Sequence, residues 1–376
     1  MTIRGAGLFG AVLLVVASVS QAQAPRRPRM AADADTNDWN AYFDYGVQRL
    51  RREISVADDA FYWASRLDPT RPEPLVARWA MFWTKNRDRF AKYLNDDEKT
   101  LEASDVKAVD SLRMRALQKN PFVHQGLFMR IFADLPGGLN DDLITRGWIA
   151  YGEANLKLAL DRFGRAINQQ PRRYAYLRFV RASAFVNVNQ LDSAYAEVSE
   201  LLKFLRAQET TEFVPMYNSK ELLEYALARI HAERGEFAQA TDALGRALGE
   251  NAAFAPAHDA LGRLAQAGRD WDRALTEYAL AVELDPGDVE SRLSYATALY
   301  YDRKGEEGVR QIKAAIELEP YYADSYFALA KLYDLLENAA GATEAYRKYI
   351  AMAPRSATAN VEKARARLKA LGAPVQ

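Results

Sequence analysis

From residue 221 onward, small, large apolar and polar positions recur in one register. Pro286, Pro320 and Pro354 stand 34 residues apart, and the same pattern precedes each. In units beginning at Glu221, Ala255, Val289 and Ala323, position seven is Leu227, Leu261, Tyr295 and Leu329. Position eight is small throughout: Ala228, Gly262, Ala296 and Ala330. Position twenty is Ala240, Ala274, Gly308 and Ala342, and position twenty-four is Leu244, Tyr278, Ile312 and Tyr346. The spacing predicts two helices per unit. Small residues at eight and twenty let their backbones approach, and large residues at seven and twenty-four fill the space beside that contact. Glu283–Pro286 (Glu-Leu-Asp-Pro) and Glu317–Pro320 (Glu-Leu-Glu-Pro) end second helices, because proline disfavours helix at the residue before it. One such pair cannot bury its own apolar face, so stacked neighbours supply the core.

The pattern extends upstream with less regularity. From Asn140 it places Gly147 at eight, Leu156 at seventeen, Ala159 at twenty, Phe163 at twenty-four, Ala166 at twenty-seven and Pro171 at thirty-two. Another unit near Ala175 carries Ala182, Phe185, Leu191, Ala194 and Val198, with its second helix running past Leu205. Extra residues from Glu209 to Ser219 follow, a long insertion that either binds or packs over the neighbouring unit. Further back, Ile54–Ala57, Phe61, Ala64 and Leu67-Asp68-Pro69 match a second helix, and Tyr45-Gly46 a first helix one residue short in the turn. A further first helix starts at Glu73, with Arg78, Trp79 and Phe82 on its face. After Asn86 the phase is lost, and 87–139 reads as irregular helix ending at Pro136-Gly137-Gly138. The expected organisation is divergent helical repeats over 38–139 and a repeat array over 140–356. The regular units of that array are 221–254, 255–288, 289–322 and 323–356. A capping helix lies within 357–376, its charges (Glu362, Lys363, Arg365, Arg367, Lys369) suiting a solvated end.

Residues 1–22, or 1–24, read as a signal peptide, with Arg4 ahead of an apolar run from Leu8 to Val19. Pro25 would hinder cleavage after Ala24, which favours a cut after Ala22. The alternative is an uncleaved anchor, although the run is shorter than the ~20 residues a spanning helix needs. Residues 23–37, with Arg26, Arg27 and Arg29, are expected as a flexible linker, solvated or resting weakly on lipid headgroups. The expected location is periplasmic or secreted, or membrane-anchored at the N-terminus if the segment stays.

The array resembles the tetratricopeptide repeat, which implies an all-α, right-handed α-solenoid of helix hairpins acting as a protein-binding scaffold. In that family the first helices line a concave face, with positions two, five, nine, twelve and thirteen pointing into it. Carried over, those positions are Trp148, Tyr151, Tyr176, Phe179, Tyr225, Arg229, Asp259, Arg263, Tyr300, Tyr301, Phe327, Lys331 and Asp334. Aromatic and arginine side chains are what binding hot spots favour. The resemblance thus implies an extended or helical partner segment with acidic and aromatic residues. Some of these aromatics could instead pack on the next unit. The family's clamp for a C-terminal carboxylate wants Asn at position nine. Arg229, Arg263, Thr297 and Lys331 stand there, so that clamp is not expected.

Composition narrows the chemistry. Basic and acidic side chains number 50 each and the pI is about 6.9, giving no basic excess for nucleic acid. There is no cysteine, and the histidines are His124, His231 and His258. His231 falls at a packing position, which suits a core or rim role better than a ligand. Asp58-Asp59 and Asp96-Asp97 are adjacent on helices and point apart, so neither is an acid–base couple. Gly245 and Gly249 lie in a helix end rather than a phosphate loop, and no hydrolase or metalloprotease motif is present. No catalysis, cofactor or metal is expected. The leading expectation is an exported scaffold with an empty groove. The alternatives are a subunit of a membrane or cell-envelope complex docked through the divergent region, and a glycan or peptidoglycan binder using Trp148, Tyr151, Tyr300 and Tyr301.

Overall fold

The structure is a computed structural model that describes residues 24–50, 52–86, 103–123, 126, 142–207 and 219–374. The expected signal segment, most of 87–139 and nearly all of the insertion at 209–219 lie outside the described residues. Within them the regular structure is helical. The helices are α1 (Trp39–Arg49), α2 (Ile54–Leu67), α3 (Glu73–Lys85), α4 (Ala103–Lys119), α5 (Asp142–Gly152) and α6 (Leu156–Gln169). Next come α7 (Leu177–Asn187), α8 (Leu191–Ala207), α9 (Lys220–Glu233), α10 (Phe237–Glu250), α11 (Ala255–Ala267) and α12 (Trp271–Leu284). The last five are α13 (Val289–Tyr301), α14 (Gly305–Leu318), α15 (Ala323–Leu335), α16 (Ala339–Met352) and α17 (Thr358–Ala370). Odd and even helices from α1 to α16 pair as hairpins, and α17 packs on α16. The chain is an α-solenoid.

The small positions act as the register requires. A Cβ on Gly262 would lie 2.8 Å from the Tyr278 ring, and one on Gly147 would lie 2.6 Å from Phe163. Gly46 stands the same way against Phe61, at 2.7 Å, despite its shorter turn. Position twenty meets position eight directly, because a Cβ on Gly308 would fall 2.8 Å from the Ala296 carbonyl oxygen. Helix backbones therefore touch wherever these residues face each other.

The turn inside each hairpin is equally uniform. Gly235, Arg269, Arg303 and Glu337, all at position fifteen, have φ of 75°, 60°, 61° and 58°, and Ala154 and Asn189 do the same in the earlier hairpins. The next residue donates its N–H back into the first helix, as in Asp270 to Ala265 O (2.8 Å) and Asn338 to Tyr333 O (2.9 Å). This is the six-to-one bond of a Schellman stop, which satisfies a carbonyl the helix leaves open. Asp270 and Asn338 then cap the following helix with their side chains.

The apolar core runs from one hairpin to the next. One cluster extends from Ala57 in α2 to Leu261 in α11, and another from Ala296 to Leu368. Phe122 and Val123, just beyond α4, belong to the first cluster, and Phe122 lies 6.2 Å from Phe179 of α7. The N-terminal helices are thereby anchored to the middle of the array. Residues 24–37, expected as a flexible linker, carry no helix but are tied to the rest of the protein. Trp63 Nε1 donates to Pro25 O (2.9 Å), and the Arg355 backbone N–H donates to Asp35 Oδ2 (2.6 Å).

Candidate binding cleft

First helices of consecutive units present the same positions side by side, so α9, α11 and the start of α13 make one wall. The opposite wall comes from residues 71–73, at the entry to α3, and from the end of α4. A cavity of about 760 Å³ lies between them, lined by Tyr225, Arg229, Asp259, Arg263 and Ser291 facing Arg71, Glu73, Arg115 and Lys119. Four of the residues expected on the concave face are therefore brought together here.

An ordered polar chain crosses this cleft. Lys119 Nζ lies 2.7 Å from Asp288 Oδ1, and Ser291 Oγ lies 2.7 Å from Asp288 and 3.1 Å from Asp259. Asp259 accepts from Arg263 Nε at 2.7 Å, and Arg263 reaches Glu290 at 2.8 Å. Burial opposes charge on Asp288, but Lys119 and the hydrogen bonds from Ser291 prevail and hold its carboxyl at about 2. Asp259 moves the other way, because its burial outweighs the pull of Arg263 and raises its pKa. A hydroxyl carries one proton. Ser291 Oγ therefore has one proton for two acceptors, of which Asp288 at 2.7 Å is nearer than Asp259 at 3.1 Å. Burial also works against the Arg263 charge, yet Asp259 and Glu290 keep the guanidinium more firmly protonated than usual.

These pairs determine which charges a ligand would meet. Lys119 and Arg263 are neutralised by the protein's own carboxylates, and Arg71 pairs with Asp68 at 3.1 Å. Arg229 makes no ion pair among the described residues and donates only a long bond to Lys119 O (3.4 Å), while Arg115 acts electrostatically on Glu319. Glu73, Glu221 and Glu233 also line the cleft without a cationic partner among the described residues. The cleft therefore offers charge of both signs.

The remaining expected site residues go elsewhere. Trp148 and Tyr151 are buried, 4% and 1% exposed, with Trp148 packed 4.9 Å from Phe163 and the Tyr151 hydroxyl 3.1 Å from Ser183 Oγ. Neither can contact a ligand, and the glycan-binding alternative loses two of its four aromatics. Phe179 is likewise buried, while Tyr176 is partly exposed at the start of α7. Tyr301 stacks on Trp271 at 3.8 Å, with Tyr300 edge-on to it at 5.4 Å. Phe327 packs 4.8 Å from Tyr349, and Lys331 lies over its ring at 5.8 Å. Asp334 is held by the capping helix, accepting from Arg367 at 2.6 and 2.7 Å. His231 and His258 face Glu236 (2.6 Å) and Glu277 (2.8 Å), and His124 lies outside the described residues. No cluster of three His, Asp or Glu residues suited to a metal occurs among the described residues. No described helix is long and apolar enough to cross a membrane.

The residues that sequence reasoning missed are those of the second wall and of the turns between units. Asp288 had a local signal, since it stands immediately before a first helix and caps it through Ser291 N (3.0 Å). Arg71, Arg115 and Lys119 had none, because no repeat position places them opposite units 221–291.

No family model and no curated protein matches the chain. Solved structures do. Its structural neighbours are tetratricopeptide-repeat proteins over about half its length. YrrB, titled as a TPR protein with an unusual peptide-binding site, is 22% identical over 54% of this chain and 97% of its own, with a TM-score of 0.41. The C-terminal part of a TPR repeat-containing protein from Cytophaga hutchinsonii is 13% identical over 60% of this chain and 81% of its own, with a TM-score of 0.45. MamA is 18% identical over 46% of this chain and 94% of its own, with a TM-score of 0.38.

Proposed function

We propose that the protein is an exported scaffold without catalytic activity, holding a segment of a partner protein in the cleft between its N-terminal helices and units 221–322. The observation that carries this reading is the alignment of Tyr225, Arg229, Asp259 and Arg263, from successive first helices, along one wall of a cavity large enough for several residues of a peptide. The arginine side chains offer the charge-assisted contacts that interfaces favour, above a floor that includes Tyr225, 6% exposed and edge-on to Phe254 at 5.8 Å. Arg229 and Arg115 receive acidic side chains of the segment, and Glu221 and Glu233 receive basic ones. Export rests on Arg4 and the apolar run Leu8–Val19.

The test places a photocrosslinking amino acid at Glu233, which is exposed and lines the cleft, and compares the otherwise unsubstituted chain in cells with Arg229→Glu. Specific adducts that fall at least tenfold in the variant support the cleft. Adducts that persist unchanged, or that form equally from a probe at the exposed Leu335, which does not line the cleft, would remove it. Fractionation of the same cells tests export, since retention in the cytoplasm would contradict that half of the reading.

A further inference from the structure

The N-terminal helices touch the far end of the array, and the character of that contact is distinctive. The Arg27 guanidinium lies 4.4 Å over the Trp63 ring and 5.2 Å from that of Tyr321, and the two rings meet edge-on at 5.0 Å. Arg66 Nε is 2.6 Å from Glu319 Oε2, and its Nη2 donates to Leu318 O at 3.4 Å. Arg355 donates from its guanidinium to Asp33 O at 2.8 Å as well as from its backbone to Asp35, and Asn37 donates to Ala351 O at 3.4 Å. Every array residue in this set lies at the end of a second helix or in the turn that follows it.

Contrast this with the contact to the middle of the array. There, side chains of α2, α3, α4 and the turn after it share an apolar core with α7–α11. Among the described residues, the core of units 289–356 includes no side chain from α1–α4 or the segment before them. One attachment is thus a packed core, and the other is a set of ion pairs, an aromatic edge and bonds to turn carbonyls. The exposed bonds of Arg355 and Asn37 contribute little individually. The Arg66–Glu319 pair, shielded from solvent, is the stronger hold between units that otherwise share no core.

We infer that units 289–356 close on the N-terminal helices as a reversible clasp, and that opening the clasp widens the cleft between Lys119 and Asp288. Solenoids flex through small changes at each stacked interface, so the last two units can swing without unfolding. Closure fixes Lys119 on Asp288 and seals one side of the cleft, whereas opening frees Asp288 and gives a partner segment lateral entry. The clasp stands on these contacts whether or not the cleft binds a protein.

The chain's lack of cysteine makes the test direct. Spin labels at Gln48→Cys and Glu344→Cys, both exposed and outside the contact, report the distance across it by pulsed electron resonance. The unsubstituted background is expected to give a predominant short-distance population. Arg66→Glu with Arg355→Glu is expected to cut that population by more than half, with helix content unchanged by circular dichroism. Restoring the pair as Arg66→Glu with Glu319→Arg is expected to bring it back relative to Arg66→Glu alone. An unchanged distribution in the double variant overturns the clasp. If the double variant loses helix content, 1 M NaCl on the unsubstituted chain decides instead, since ions then screen beyond ~3 Å. Widening supports the clasp, and an unmoved distribution overturns it. Widening without any change in crosslinking at Glu233 would retain the clasp and count against the cleft.

Discussion

Gly308 and Gly245 both sit inside second helices, and replacing each with alanine should change stability in opposite directions. At Gly245 an added Cβ meets nothing within 4 Å, so only the backbone term remains. Alanine is favoured over glycine in a helix by about 1 kcal/mol. At Gly308 the same methyl would stand 2.8 Å from the Ala296 carbonyl oxygen and 3.1 Å from Leu332 Cδ2. The leucine can rotate, but the carbonyl belongs to α13 and moves only with its helix. Ordinary contact begins near 3.4 Å, so α13 and α14 must part by roughly 0.6 Å at a seam that is otherwise closed. Overpacking of this kind costs about 1–3 kcal/mol, which outweighs the same propensity gain. Gly308→Ala should therefore lose about 1 kcal/mol while Gly245→Ala gains about as much. Urea titration followed by circular dichroism gives the comparison. Because repeat arrays need not unfold in one step, amide exchange across α13 and α14 should accompany it and show faster opening in Gly308→Ala alone. If Gly308→Ala stabilises the protein as much as Gly245→Ala does, the backbone contact between positions eight and twenty is not what sets the register.

Other outcomes follow from the same structure. Ala274 is fully buried at position twenty, so Ala274→Asp places an uncompensated carboxylate between two backbones and should cost more than ~3 kcal/mol; an unchanged melting profile would contradict the register. Arg303 and Glu337 hold left-handed backbone that costs a non-glycine residue about 1–2 kcal/mol, so glycine at either should gain ~0.5–1 kcal/mol net of its unfolded-state entropy; a loss in calorimetry would show that the side chains matter more. Asp288 has a folded pKa of about 2 against 3.8 unfolded, so its contribution of about 2 kcal/mol is present above pH 4 and disappears as pH falls through 2. Lys119→Met removes the cation that lowers that pKa, and should flatten the loss of urea stability between pH 4 and pH 2; identical acid profiles would refute the pairing.

The local logic of this fold was legible because it is carried by neighbours in sequence. Gly262 and Tyr278, sixteen residues apart, touch as their register positions require, and α11, α13 and α15 begin at Ala255, Val289 and Ala323, where the pattern starts its units. The cleft was half legible. Arg229 and Arg263 line it at position nine, as the family resemblance supplied, with the buried Tyr225 and Asp259 beneath them, but Trp148 holds the same position nine and, like Tyr151, is buried away from it. What covers them is not periodic: Ser183 links the Tyr151 hydroxyl to the Phe122 carbonyl, 61 residues upstream of it, at 3.1 and 2.9 Å. The second wall was not legible at all. Arg66 and Glu319 are separated by most of the chain, and no pattern of apolar spacing encodes a pair of charges at such a distance. Repetition predicts how a unit meets the next one; it is silent on how the assembled superhelix meets itself.

The bond between Asp35 and Arg355 changes the connectivity of the molecule. A row of stacked hairpins has two free ends, and fraying normally starts there because a terminal unit has a neighbour on one side only. Here the segment before the first helix is fastened to the turn before the last one. The row becomes a ring. While the tie holds, neither α1–α2 nor α15–α16 can peel away alone, so their amides should exchange together, at the rate at which the clasp opens.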